Sequence, residues 1–335
     1  MKFGKRGFEK AAFIALIVIA FAVFTLSPAM VLAEEYPAKT IKLICPYGPG
    51  GASDLASRVL ASVIPEYLGQ PVVVVNKPGA GGAIAFKYVV DSKPDGYIMM
   101  MTAIGSNAML PAVNPNLPFS YKDFTYVCSF QANPNVLVVR KDAPWKTFQD
   151  LVKDIKAHPG KYKYSVSGPG TILNFGIILM LKAVGLPKDA LQMVPFDSGG
   201  EATAALLGGH VDLLSVNTPP IIGHLRAGTL RGLAVTTKER LKEFPNIPTY
   251  AELGYPQIDL MGWRVIAGPP GLPDYVVKKW EDALAKTVKS KAWLKLVERL
   301  GDVPFYMGTA ETQKFVEKEF KRYRALAEEL GILVK

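Results

Sequence analysis

Ile41-Lys42-Leu43-Ile44-Cys45-Pro46-Tyr47-Gly48-Pro49-Gly50-Gly51-Ala52-Ser53-Asp54 runs from an apolar stretch through a glycine-rich bend into a helix start. A short apolar run bounded by Gly and Pro reads as a buried strand. Ser and Asp after the bend are helix-start residues, and the segment from about Ser53 to Tyr67 carries helical spacing. This is a strand–turn–helix unit, and it sets the pattern for the chain.

Outward from it, short apolar runs alternate with helical segments. Pro71–Asn76, Tyr97–Thr102 and Asn135–Arg140 read as strands, with a helix opening after Gly79-Ala80-Gly81-Gly82. The pattern restarts at Trp145–Ala157 with further strands at Tyr162–Ser167, Leu191–Phe196, Val211–Val216, Leu230–Thr236 and Trp263–Ala267. Three amphipathic helices, from about Asp274, Ala292 and Thr312, close the chain. Alternation of this kind predicts an α/β architecture. Asn135–Arg140 and Trp263–Ala267 both end in Pro-containing loops and bracket a central block, which predicts two crossover strands joining two lobes. A cleft between lobes is a preferred ligand position.

Two more junctions share the chemistry of the first. They are Ser165-Val166-Ser167-Gly168-Pro169-Gly170-Thr171 and Pro195-Phe196-Asp197-Ser198-Gly199-Gly200-Glu201. Glycines let a ligand approach the main chain, and free N–H groups at a helix start favour an anion. One such loop is also an ordinary α/β turn with an N-cap. Three, divided between the proposed lobes, predict an anion site that holds its ligand's charge among N–H donors rather than cations.

Enzyme motifs fail on spacing. Gly48-Pro49-Gly50-Gly51 lacks the third glycine of a dinucleotide loop, and Pro49 removes a donor. A Gly-Lys-Ser/Thr phosphate loop and a Gly-x-Ser-x-Gly elbow are both absent. Asp54 and Glu201 sit at helix starts, where acids complement the dipole. His158, His210 and His224 lack metal-ligand spacing. Cys45 and Cys128 could pair in an exported protein, but each lies in an apolar run where a free thiol packs as a small apolar group.

Lys2, Lys5, Arg6 and Lys10 precede an apolar run from Ala11 to Leu26, and Ser27–Ala33 supplies a small-residue cleavage site. This predicts a signal peptide over residues 1–33. The formal charge of +10 falls to +7 without its four basic residues and one acid. Export makes nucleic acid a poor partner for that charge, whereas a mild positive field suits an anionic solute.

The first loop, with Gly69-Gln70-Pro71-Val72-Val73-Val74 and Asn76-Lys77-Pro78-Gly79-Ala80-Gly81-Gly82, resembles the substrate-binding proteins of tripartite tricarboxylate transporters, the TctC or Bug family. The likeness continues through Pro94-Asp95-Gly96-Tyr97, Pro134–Val139, Ala205–Asp212 and Arg226–Thr236. It implies a two-lobed type II periplasmic-binding-protein fold with the ligand cleft between lobes, preceded by the signal peptide. Residues 34–134 and 258–335 would form lobe 1 and residues 135–257 lobe 2. It further implies a periplasmic carboxylate receptor, not an enzyme, that acts as a monomer without cofactor or metal. The loaded receptor would deliver its cargo to one large and one small integral membrane subunit. A sensing receptor that feeds a signalling partner is the alternative.

Carried over residue by residue, the resemblance places Tyr47, Gly48, Ser53 and Asp54 at one end of the ligand. Thr102, Ala103, Gly105 and Ser106 follow from the loop after the third strand, and Gly168, Gly170, Thr171 and Asn174 from the second lobe. Asn174 stands where many relatives carry His, and Val216-Asn217 where many carry Asp-Ser, so this pair brings no carboxylate to the site. That favours an organic acid over an amino acid. Arg264 either offers a bidentate carboxylate contact or belongs to a surface or interlobe salt bridge.

Overall fold

β1 (Ile41–Cys45) is buried at every position but Lys42, as a strand covered on both faces must be. The computed structural model describes residues 36–334, so the expected signal peptide lies outside the described residues. β1 is flanked in parallel by β2 (Val72–Asn76) and β3 (Ile98–Ala103). Between them run α1 (Ala52–Val63) and α2 (Ala83–Val90). The strand order is β2-β1-β3-β9 (Met261–Gly268)-β4 (Thr125–Arg140)-β7 (Leu213–Asn217)-β5 (Lys163–Val166)-β6 (Gln192–Pro195), with β8 (Leu230–Val235) and β10 (Val303–Met307) also pairing with β4.

β4 (Thr125–Arg140) is the spine of this sheet. Its first part, Thr125 to Pro134, pairs antiparallel with β9 (Met261–Gly268). From Asn135 onward it pairs with β7 (Leu213–Asn217) and β8 (Leu230–Val235) instead. The sequence pattern predicts only Asn135–Arg140 as strand, because Ser129, Gln131 and Asn133 interrupt the apolar run and Pro134 cannot donate to a ladder. The Pro134 carbonyl still accepts the Thr218 N–H at 3.2 Å. Beyond Arg140 follow α3 (Phe148–Ala157), β5 (Lys163–Val166), α4 (Ile172–Ala183), β6 (Gln192–Pro195), α5 (Gly199–Leu207) and, after β7, α6 (Ile222–Arg226). The C-terminal part holds α7 (Asp274–Thr287), α8 (Lys291–Arg299), β10 (Val303–Met307) and α9 (Thr309–Glu329). β10 escapes the sequence reading: it is short, carries Pro304 and pairs along its length only with β4.

Local chemistry accounts for the helix starts. Thr147 and Asp150 form a reciprocal capping box before α3. Ser198 caps α5 by accepting the Glu201 N–H at 3.1 Å. α4 is apolar apart from Asn174 and Lys182, and its Ile172–Leu181 segment is buried. It packs on β7 so closely that a Cβ at Gly176 would lie 2.1 Å from Ser215 Oγ. Cys45 and Cys128 are free and buried, and burial pushes each thiol up to about 12. They behave as small core residues.

Candidate functional site

Three helix N-termini meet at one cavity. Gly51, Ala52 and Ser53 enter it from α1, Thr171, Ile172 and Leu173 from α4, and Gly199 from α5. α1 and α4 are 12 residues long and α5 is 9, enough for each to present a positive dipole end. The cavity has a volume of about 440 Å³ including its open mouth. With its mouth counted, that lies within the size range of small-molecule pockets.

The first loop is held by Asp54. Its carboxylate accepts the Gly50 N–H at 3.0 Å, Asn76 Nδ2 at 2.8 Å and Arg58 Nε at 3.0 Å. Burial pushes this carboxyl up, but the bonds from Arg58, Gly50 and Asn76 outweigh it, and the net displacement is downward. Asp54 therefore braces the loop and does not line the cavity. Asp54→Asn should cost about 1–3 kcal/mol of stability at neutral pH, the range for a buried hydrogen-bonded charge. A group depressed in the folded state stabilises above its unfolded pKa and loses that contribution as pH falls through the folded value. The difference between variant and parent in urea unfolding should thus shrink with acidification.

Asn174 also sits behind the wall. Its Nδ2 donates to the Pro169 carbonyl at 2.8 Å, and its Oδ1 accepts the Tyr164 hydroxyl at 2.9 Å. Gly168 and Gly170 pack on backbone: a Cβ would come within 3.1 Å of Gly81 Cα at the first and 2.6 Å of Leu110 Cα at the second. Thr102 is paired with Asn107, and Ser106 donates to the Ala103 carbonyl at 3.1 Å. Both shape the turn that turns Ala103, Ile104 and Gly105 toward the cavity. Gly48 closes a seam, its N–H donating to the Asp197 carbonyl at 3.1 Å. Of the residues expected at the site, Tyr47, Ser53, Ala103, Gly105, Thr171, Asn217 and Arg264 line the cavity. Gly48, Asp54, Thr102, Ser106, Gly168, Gly170 and Asn174 support it from outside.

Arg264 corrects two expectations. It is 2% exposed, so it is no surface ion pair. It makes no ion pair within 4.0 Å among the described residues. Nη1 donates to the Trp263 carbonyl at 3.2 Å, and Nε has no partner. A buried guanidinium in this state is costly unless an anion meets it. The wall accordingly contains a cation as well as N–H donors. Burial lowers the guanidinium's proton affinity and the field of Asp302 opposes that, yet an arginine stays charged. Tyr47 adds a phenol that burial pushes up to about 12 and so keeps protonated. Arg264 is the one formally charged residue of the lining.

Gly51, Ala52, Ser167 and Gly199 belong to loops that the sequence marks out, whereas Ile104, Ile172, Leu173 and Val216 read simply as core residues. Nothing in a single sequence separates an apolar wall from an apolar core.

A mixed sheet whose strand–helix junctions bring three helix starts to one cavity is the architecture of an α/β ligand-binding protein. The chain belongs to the tripartite tricarboxylate transporter family receptors, whose model matches residues 56–332. Protein BugT of Bordetella pertussis is 32% identical over 311 residues, covering 92% of this chain and 94% of its own. A solved periplasmic transporter is 31% identical with a TM-score of 0.85, over 90% of this chain and 100% of its own. An R. palustris protein solved with adipate is 28% identical with a TM-score of 0.84, over 89% and 99%. The family is one of substrate-binding receptors, not enzymes, and the fold is that of periplasmic binding proteins.

Proposed function

We propose that this chain is exported to the periplasm, captures a small organic acid by closing two lobes on it, and hands it to the membrane subunits of a tripartite transporter. The lobes are residues 34–134 with 258–335, and residues 135–257. The observation that carries the reading is the buried, unpaired Arg264 guanidinium facing a cavity ringed by three helix N-termini. A carboxylate satisfies both features with charge-assisted hydrogen bonds. The change of partner along β4 at Asn135 supports the lobe boundary. The contacts between Gly48–Gly51 and Asp197–Gly200 correspond to a closed form.

The lining contains no acidic residue to receive an ammonium group, so a di- or tricarboxylate or related acid fits better than an amino acid. The adipate held by the R. palustris relative places a six-carbon diacid within the range to test. Isothermal titration of residues 34–335 against succinate, adipate, citrate, an aromatic acid and glutamate should give one-site binding of an acid without turnover. Turnover of any of them, or binding of none, would overturn this function. Ser53→Pro removes one N–H at a position where a helix tolerates proline, and it should weaken binding while the fold persists by circular dichroism.

A further inference from the structure

Arg264 is not alone on its face of the sheet, behind the cavity wall. The β4–β9 register sets Gln131 directly opposite it, so the two side chains leave the same face of the sheet. Gln131 Nε2 donates to Asp302 Oδ2. Asn133 Nδ2 donates to the same oxygen at 3.3 Å, and the Thr218 hydroxyl lies 3.1 Å from Oδ1. Asp302, in the turn between α8 and β10, is 5% exposed. β4 thus presents two neutral amides to it and the turn after β7 a neutral hydroxyl. β9 presents Arg264, whose field acts on Asp302 without an ion pair, and Tyr47 and Cys45 are the other titratable groups that act on that guanidinium. Glu298 and Arg299, at the end of α8, are exposed.

An acid seated on Arg264 puts a second negative charge beside one buried cation. Two carboxylates sharing such a site do not both remain fully ionised. A free organic acid titrates in the ordinary carboxylate range, whereas burial has pushed Asp302 up to about 7. Asp302 is therefore the group that yields. A place for the proton exists: Gln131 Oε1 and Asn133 Oδ1 are both buried without a partner. Rotation of either amide would offer a protonated Asp302 an acceptor.

Resting on the reading that the cavity binds a carboxylate, we propose that Asp302 is the charge-compensating residue of this site. When the acid anion takes the Arg264 guanidinium, Asp302 takes up one proton from solvent. The loaded site then holds one cation and one anion, with one neutral acid behind its wall.

The sign of the pH dependence follows. Below about 7 Asp302 is protonated with or without ligand, and affinity is flat. Above that value binding carries proton uptake, and affinity falls by up to about tenfold per pH unit until the loaded form also ionises. The test is titration of adipate and succinate into the mature protein near about pH 7.5, in buffers of different ionisation enthalpy. An apparent enthalpy that varies with the buffer as uptake of up to one proton per acid bound is the expected result. Asp302→Asn should bind with no such variation and with a flat pH profile; the measurement on the parent protein stands whether or not that variant folds. Binding by the parent with no buffer dependence and unchanged affinity from about pH 6 to about pH 9 would overturn the role of Asp302 and leave the receptor reading intact. If neither acid nor any other of the panel binds, both readings fall together.

Discussion

Arg264→Met should weaken acid binding at least about thirtyfold, while below about pH 7, where Asp302 is neutral, the unliganded protein stays as stable as the parent or gains stability. Truncating one partner of a buried charge pair costs about 2–5 kcal/mol of binding, and about 1.4 kcal/mol corresponds to a factor of ten. The opposite effect on stability comes from the unliganded state. There the guanidinium is buried, unpaired with any carboxylate and missing a partner at Nε. An apolar side chain of similar volume removes that desolvation penalty. Methionine is unbranched and fits irregular spaces, so the β9 wall needs little rearrangement. Titration calorimetry and thermal unfolding on one sample separate the two effects. Retained affinity would remove Arg264 from the site, and a large fall in Tm with affinity lost would make it a structural residue.

Gly200→Ala should lower affinity by roughly five- to a hundredfold without harming the unliganded fold. In this structure a Cβ at position 200 would lie 2.8 Å from Gly50 C, 2.9 Å from Gly50 O and 3.1 Å from Gly51 N. All three are backbone atoms, so the contact cannot be relieved by a rotamer change. Overpacking of this kind costs about 1–3 kcal/mol, charged entirely to the state in which the loops touch. On the proposed lobe-closure reading the open lobes would lack this contact, and alanine near the start of α5 favours the helix by up to about 1 kcal/mol. Since only the closed state surrounds the ligand, affinity falls with its population. Small-angle scattering with and without saturating acid would check this directly: the variant should contract less than the parent. Equal contraction and equal affinity would mean that closure does not bring Gly200 onto the first loop.

Much of the site was legible in the sequence because its chemistry lies in backbone. The three glycine-rich loops sit where apolar runs end and helices begin, and such a junction must present free N–H groups whatever the tertiary fold. Their three helix starts do converge on one cavity. The supporting residues were harder to place. Asp54, Asn174, Thr102 and Ser106 are the residue types that bind ligands and equally those that brace tight turns. Their hydrogen bonds to Gly50, Pro169, Asn107 and Ala103 assign them to the second task. The apolar wall of Ile104, Ile172, Leu173 and Val216 had no sequence signal at all.

The chain's own order of residues determined the α/β alternation, the loops and the family, since periodicity and turn chemistry are local properties. Only the tertiary structure decided what the charges do. Arg264 occupies an ordinary position in a strand pattern, and Asp302 an ordinary turn between a helix and an edge strand. Whether a guanidinium is a solvated surface group or a buried cation depends on what packs over it from distant segments, because its energy is set by desolvation and by neighbours in space. β9 carries Arg264 beneath the first loop, β4 sets Gln131 opposite, and the turn before β10 brings in Asp302. Local sequence encodes none of these long-range neighbours, and they are what turn three anion-receptive loops into one charged cavity.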